Sequence, residues 1–165
     1  ERILPVAEEA DVRLALHPDD PPVPTLGGVA RIFGSFEGFR RGMDTFDSPH
    51  HGLDFCMGCW SEMGGHGNVI RGFDYFVPQK KIFYIHFRDV RGEAGCFHEC
   101  FIDEGQVDTF AAVRHLRELN FDGFLIPDHV PGTVGDSPWH HRGRAHAVGF
   151  IQALIQAADQ VHATS

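Results

Sequence analysis

Four short apolar segments of this chain each end near a side chain that can bind a metal ion, and they recur at the spacing of successive strand–helix units. Residues 12–17 (VRLALH) close on His17, residues 53–58 (LDFCMG) carry Cys56, residues 81–90 (KIFYIHFRDV) carry His86, and residues 124–130 (FLIPDHV) carry Asp128. The alternation is clearest in the third segment. There Phe83, Ile85 and Phe87 share one face while Tyr84, His86 and Arg88 share the other, the period of two that a strand requires.

The intervening stretches have helical spacing. Residues 30–44 place Ile32, Phe36, Phe39 and Met43 on one stripe, against the helix-weakening effect of their glycines. A short helix is predicted over 69–76 after a Gly-rich stretch, and an amphipathic one over 107–119 with Phe110, Val113 and Leu116 inward. A last helix covers about 143–162. Strands alternating with helices predict a parallel sheet with right-handed crossovers. No Gly-rich dinucleotide fingerprint follows the first strand, which argues against an open nucleotide-binding sheet. The expected fold is α/β, a (β/α) barrel of the TIM type represented by about four units, with residues 1–165 as one domain. At the C-terminal rim of such a barrel, where the metals and catalytic groups of these enzymes sit, His17, Cys56, His86 and Asp128 would converge.

Composition narrows the function. A chain of 165 residues with 42% hydrophobic content can bury a core. Its formal charge of −9 and scattered basic residues exclude a phosphate-tracking, nucleic-acid-binding surface. No apolar run is long enough to span a bilayer. The four cysteines, without a signal peptide, fit a reduced, cytoplasmic location. The chain opens as ERILPVAEEA with no initiator Met or helix cap, so a fragment of a larger protein is expected.

Twelve histidines, several beside Cys or carboxylates, favour a metal or acid–base site. Two imidazoles, a thiolate and a carboxylate suit a divalent first-row ion. A rival grouping uses Cys56, Cys59, Cys96 and Cys100 as a structural zinc site. His129, next to Asp128, is placed to work as an acid or base. Arg88 could hold a substrate carboxylate and Asp89 orient a ligand, while His98 and Glu99 are weaker candidates. The segment WHHRGR, residues 139–144, offers His140, His141 and Arg142 on a lid.

The strings HPDDPP (17–22), DFCMG (54–58), IHFRDV (85–90) and PDHV (127–130), closed by RAHAVGFIQAL from Arg144, together resemble mannonate dehydratases, which belong to the xylose-isomerase-like barrels. The resemblance runs in order along almost the whole chain and implies its C-terminal identity within a barrel about twice as long. It implies dehydration of D-mannonate to 2-keto-3-deoxy-D-gluconate in hexuronate breakdown, with Mn2+ or Fe2+ held by His17, Cys56, His86 and Asp128 and with His129 catalytic. Where the family carries a Tyr before its last helix, this chain has Trp139 to Arg142, so His140 or His141 is the expected substitute. A small sugar-acid substrate is expected, and either a homo-oligomer or an N-terminal half should cover the sheet edges. The competing expectations are a sugar isomerase or epimerase of the same barrel type and a catalytically silent, metal-binding fragment.

Overall fold

The computed structural model describes residues 2–163. Along the chain lie α1 (Leu4–Glu9), β1 (Leu14–Leu16), the two-residue strands β2 (Thr25–Leu26) and β3 (Val29–Ala30), α2 (Phe36–Asp44), β4 (His51–Cys56) and α3 (Met57–Glu62). They are followed by α4 (Gly65–Phe76), β5 (Ile82–His86), β6 (Val90–Glu93), β7 (Cys96–Glu99), α5 (Thr109–Glu118), β8 (Phe124–Ile126) and α6 (His141–Ala163). The strands β1, β4, β5 and β8 form a parallel sheet in that order. Helices flank it, so the architecture is part of a (β/α) barrel and not a closed eight-stranded one. No helix among the described residues is long and apolar enough to cross a membrane.

The core fills the helix side of the sheet. Trp60 is fully buried and stacks on Phe55 with ring centroids 4.5 Å apart. Phe36 and Phe76 meet its edge, and Phe39 packs tilted against it. Each such side chain contributes about 1.5–3 kcal/mol through burial. Gly72 admits this packing, because a Cβ there would lie 2.6 Å from the Phe55 ring.

Helix ends follow the capping rules. Ser35 accepts a hydrogen bond from the Gly38 N–H at the start of α2, and Asp108 accepts one from Ala111 at the start of α5. At α6 the Asp136 carboxylate collects the backbone N–H groups of Ser137, Arg142 and Gly143 at 2.8–3.2 Å. Those donors, Arg142 foremost, hold its pKa at about 2, below the ordinary 3.8. A depressed carboxylate stabilises the fold above its unfolded pKa, and that contribution disappears as pH falls through the folded one. Asp136→Ala should therefore lower Tm at pH 7, with the two chains converging between about pH 4 and pH 2. A Tm gap that persists undiminished at pH 2 would contradict this account.

Several elements depart from the sequence expectation. The first strand is shorter than 12–17, and Val12 is exposed. The helix expected over 30–44 begins only at Phe36, since Val29 and Ala30 belong to a hairpin; Ile32 is 70% exposed and not on the apolar stripe. The second strand spans His51–Cys56 and passes directly into α3, so Met57 and Gly58 are helical. The third stops at His86, short of Val90, which instead opens the antiparallel hairpin β6–β7. The fourth ends at Ile126, short of Asp128 and Val130. Phe110, placed inward by periodicity, is 37% exposed, whereas Val113 and Leu116 are buried as expected.

One irregularity matters for the rim. Leu53 pairs with Ile82 but Asp54 pairs with Tyr84, so β5 carries Phe83 as an extra residue. The Phe83 ring lies beside Gly52, whose missing Cβ would sit 2.6 Å from it, and Arg13 lies over that ring at 5.3 Å. From this step onward the register sets Cys56 opposite His86.

Candidate metal centre

The C-terminal ends of the four parallel strands bring His17, Cys56, His86 and Asp128 together. Each offers one ligand atom, and these atoms all lie within 4.8 Å of one another. Cys56 is fully buried, while the two imidazoles and Asp128 are partly open to the rim. The His17 and His86 rings are 5.3 Å apart, centroid to centroid.

Local contacts aim the imidazoles. Nδ1 of His17 lies 2.8 Å from the Pro18 carbonyl oxygen, so it must carry the proton and donate it, leaving Nε2 as the free lone pair. Nε2 of His86 lies 3.4 Å from Asp54 Oδ2, and its Nδ1 lies 3.6 Å from Asp128 Oδ2. That Nδ1 is buried and has no hydrogen-bond partner among the described residues. A carboxylate behind a histidine whose other nitrogen faces the ligand cluster is the arrangement that orients imidazoles toward metals. The donor set and this orphaned nitrogen both fit a divalent first-row ion.

The charges agree with that fit. A hydrogen bond from Cys59 holds the Cys56 thiol well below its ordinary pKa against the cost of burial; His17, His86 and Arg88 add to the effect. The same bond pushes Cys59 up, so Cys56 is the thiolate and Cys59 the thiol. Burial opposes protonation of His17, but hydrogen bonding and charge from Cys56 raise its pKa to about 9. His86 is also raised, first through Cys56 and, against burial, through Asp54 and Asp128.

Arg88 lies beneath the cluster with its side chain 1% exposed. Its Nη1 contacts Asp20 at 2.8 Å and donates to Cys56 Sγ at 3.4 Å; its Nη2 contacts Glu62 at 3.0 Å and Glu99 at 3.1 Å. Asp128 lies 3.7 Å away. With both terminal nitrogens engaged, this guanidinium holds site residues in place and is not presented at the rim to a substrate carboxylate. Burial raises Glu62 to about 8 in spite of Arg88, so at neutral pH its 3.0 Å contact is mainly a hydrogen bond from the guanidinium to a neutral acid. Asp20, Cys59 and Glu62 also form a compact donor group, but the guanidinium already contacts all three.

The other expected residues have distinct surroundings. His129 is half exposed beside the ligands, with Nε2 3.8 Å from Asp128 Oδ2 and Nδ1 2.9 Å from Glu99 Oε1. His140 Nδ1 is 3.0 Å from the Val130 carbonyl, and His141 Nδ1 pairs with Ser137 Oγ at 2.8 Å at the start of α6. Asp89 is buried and accepts the Val90 and Val107 N–H groups, so it braces loops and orients no ligand. The four cysteines do not assemble: Cys96 is exposed, and Cys56 and Cys59 fall in separate donor groups. A large concavity lined by Lys80, Lys81 and Phe83 opens at the N-terminal ends of the strands and includes none of the four ligands.

The model of the family described as D-mannonate dehydratase (UxuA) matches residues 1–165. The chain belongs to that family. Mannonate dehydratase of Thermotoga petrophila is 35% identical over 171 residues, covering 98% of this chain and 46% of the relative. That of Streptococcus suis strain 05ZYH33 is 35% identical over 136 residues, or 81% of this chain and 37% of the relative. The crystal structure of mannonate dehydratase from Streptococcus suis serotype 2 superposes with a TM-score of 0.86 at 30% identity, covering 97% of this chain and 47% of that one. A D-tagatose 3-epimerase-like protein shares the fold, with a TM-score of 0.71 at 15% identity. The chain spans less than half the length of these mannonate dehydratases.

Within this mannonate dehydratase family member, sequence reasoning missed the supporting groups. Asp54 shares the Cys56 face by strand period, and that signal was available. Asp20 and Glu62 gave none, because they meet the site only in three dimensions, through Arg88, which reaches across from after β5, and through Cys59 beside Cys56.

Proposed function

We propose that this chain carries the metal-binding half of a D-mannonate dehydratase, a lyase releasing 2-keto-3-deoxy-D-gluconate and water. The observation that supports this most is the convergence of His17, Cys56, His86 and Asp128 with His129 beside them, in a chain of this family. These four residues would hold Mn2+ or Fe2+. A bound divalent ion supplies Lewis acidity toward the carboxylate and adjacent hydroxyl of a hydroxy acid, stabilising the charge that builds as the C2 proton leaves. The protein must move that proton and assist departure of the C3 hydroxyl as water, after which the enol becomes the 2-keto product. Nε2 of His129 faces the ligand side and is the proposed proton-transferring atom. His140 or His141 is proposed as its partner in the position of the family's Tyr. Arg88 acts by fixing Cys56, Asp128 and Glu99, and touches no substrate.

Residues 1–165 are proposed to form one half-barrel domain. Among the described residues, strands β1 and β8 each pair on one side only, and the proposed working assembly adds strands there, from further chain or from a second copy. Purified protein supplied with Mn2+ or Fe2+ and D-mannonate is expected to release a 2-keto acid, with none formed after chelation. Bound metal with no 2-keto acid from any hexonate would replace this reading with a silent metal-binding one.

A further inference from the structure

The group that sets the working end of His129 is a carboxylate on the β6–β7 hairpin. Glu99 Oε1 lies 2.9 Å from His129 Nδ1 and 3.1 Å from Arg88 Nη2. An ionised carboxylate only accepts hydrogen bonds, so this contact requires a proton on Nδ1 and leaves the neutral ring's lone pair on Nε2. Nε2 is the nitrogen that faces Asp128, 3.8 Å from its Oδ2. Without Glu99, the 52% exposed imidazole would have no contact at Nδ1 among the described residues, and its tautomer would be free to exchange with solvent.

The hairpin is built to keep Glu99 there. Its backbone pairs with Val90 at the open end of the ladder, next to where the Cys100 N–H donates to the Asp89 carbonyl. Gln106 holds the hairpin from both sides of Gly92, receiving its N–H and donating to its carbonyl, and also donates to Ser61 on α3. Arg88 then fixes the carboxylate itself. We infer that Glu99 is a positioning residue that locks His129 as the Nδ1–H tautomer, so that Nε2 is aimed at the metal-side substrate position. The orienting contact is geometric; its catalytic consequence rests on the proposed role of His129.

The test separates those two layers. In the metal-free chain, 15N imidazole spectra recorded at a pH where the ring is neutral, with His129→Gln identifying the signal, should show the Nδ1–H form. In Glu99→Ala the Nε2–H form should appear. Glu99→Gln, whose amide oxygen can still accept, should lie between them and guards against a hairpin that fails to fold. For the assembled, metal-loaded protein, Glu99→Ala should lower kcat about 10- to 100-fold with KM near its parental value. An unchanged His129 tautomer in Glu99→Ala overturns the inference. A shifted tautomer with unchanged kcat upholds the orienting contact and removes His129 from the chemistry instead.

Discussion

Arg88→Met is expected to destabilise the fold by about 3–5 kcal/mol, the range for breaking a buried ion pair from one side. The lost guanidinium is 1% exposed and contacts Asp20, Glu62 and Glu99 within 3.1 Å. The variant leaves Asp20 and Glu99 without their cation beside a neutral Glu62, and it removes an N–H donor from the buried Cys56 thiolate. Arg88→Lys should fall between the two, since a single ammonium cannot reproduce the planar fork that reaches both sides of the cluster. Gly58 marks the fit, because a Cβ there would lie 2.5 Å from Arg88 Nε. Urea unfolding followed by intrinsic fluorescence measures the difference. A loss below about 1 kcal/mol would mean that the acids discharge one another and that Arg88 contributes little net stability.

The paired substitution His17→Gln, Asp128→Asn is expected to abolish metal retention while leaving the fold in place, since both side chains are partly exposed at strand ends. Activity should fall by more than 100-fold, beyond the upper end for changes to groups that only surround a metal. Cys59→Ser, in contrast, should keep its metal, because Cys59 belongs to the donor group contacted by Arg88. Elemental analysis of the purified variants reads both outcomes. Metal retained by the double variant but lost from Cys59→Ser would move the centre to the cysteines and sink the four-strand site.

The parts of the fold legible in the sequence were those written in local periodicity. The third segment was legible in part: Ile85 and Phe87 are buried as its alternation requires, but the strand ends at His86, and Phe83, expected on the same face, is only partly buried where the register shifts. The rim residues were legible because the strands that deliver them recur in order, and the structure gathers all four. The start of α3 was not legible: Met57 to Trp60 continue the apolar run of β4, and a buried helix and a buried strand look alike without polar alternation. The β6–β7 hairpin was hidden for a different reason. Its glycines, Gly92 and Gly95, have φ of 113° and 87°, and residues 90–99 carry too little apolar alternation to mark the flanking residues as paired. Glu99 was undervalued as a consequence, because its contact with His129 exists only once that hairpin folds over the rim. Ile32 misled in the opposite direction, matching a helical stripe from outside the helix that Ser35 caps.

The extra residue in β5 imposes a rule on the lineage of this chain. If β4 and β5 ran in unbroken step from Leu53 and Ile82, Cys56 would stand opposite Ile85, and a thiolate would face a side chain destined for the helix layer. Phe83 restores the match. Substitutions along these two strands can therefore be explored one at a time, but a change in their length by a single residue scrambles which side chains meet across the rim. Insertions and deletions should accumulate in the connections, and the spacing from Gly52 to Cys56 and from Lys81 to His86 should stay fixed even as the residues between them drift.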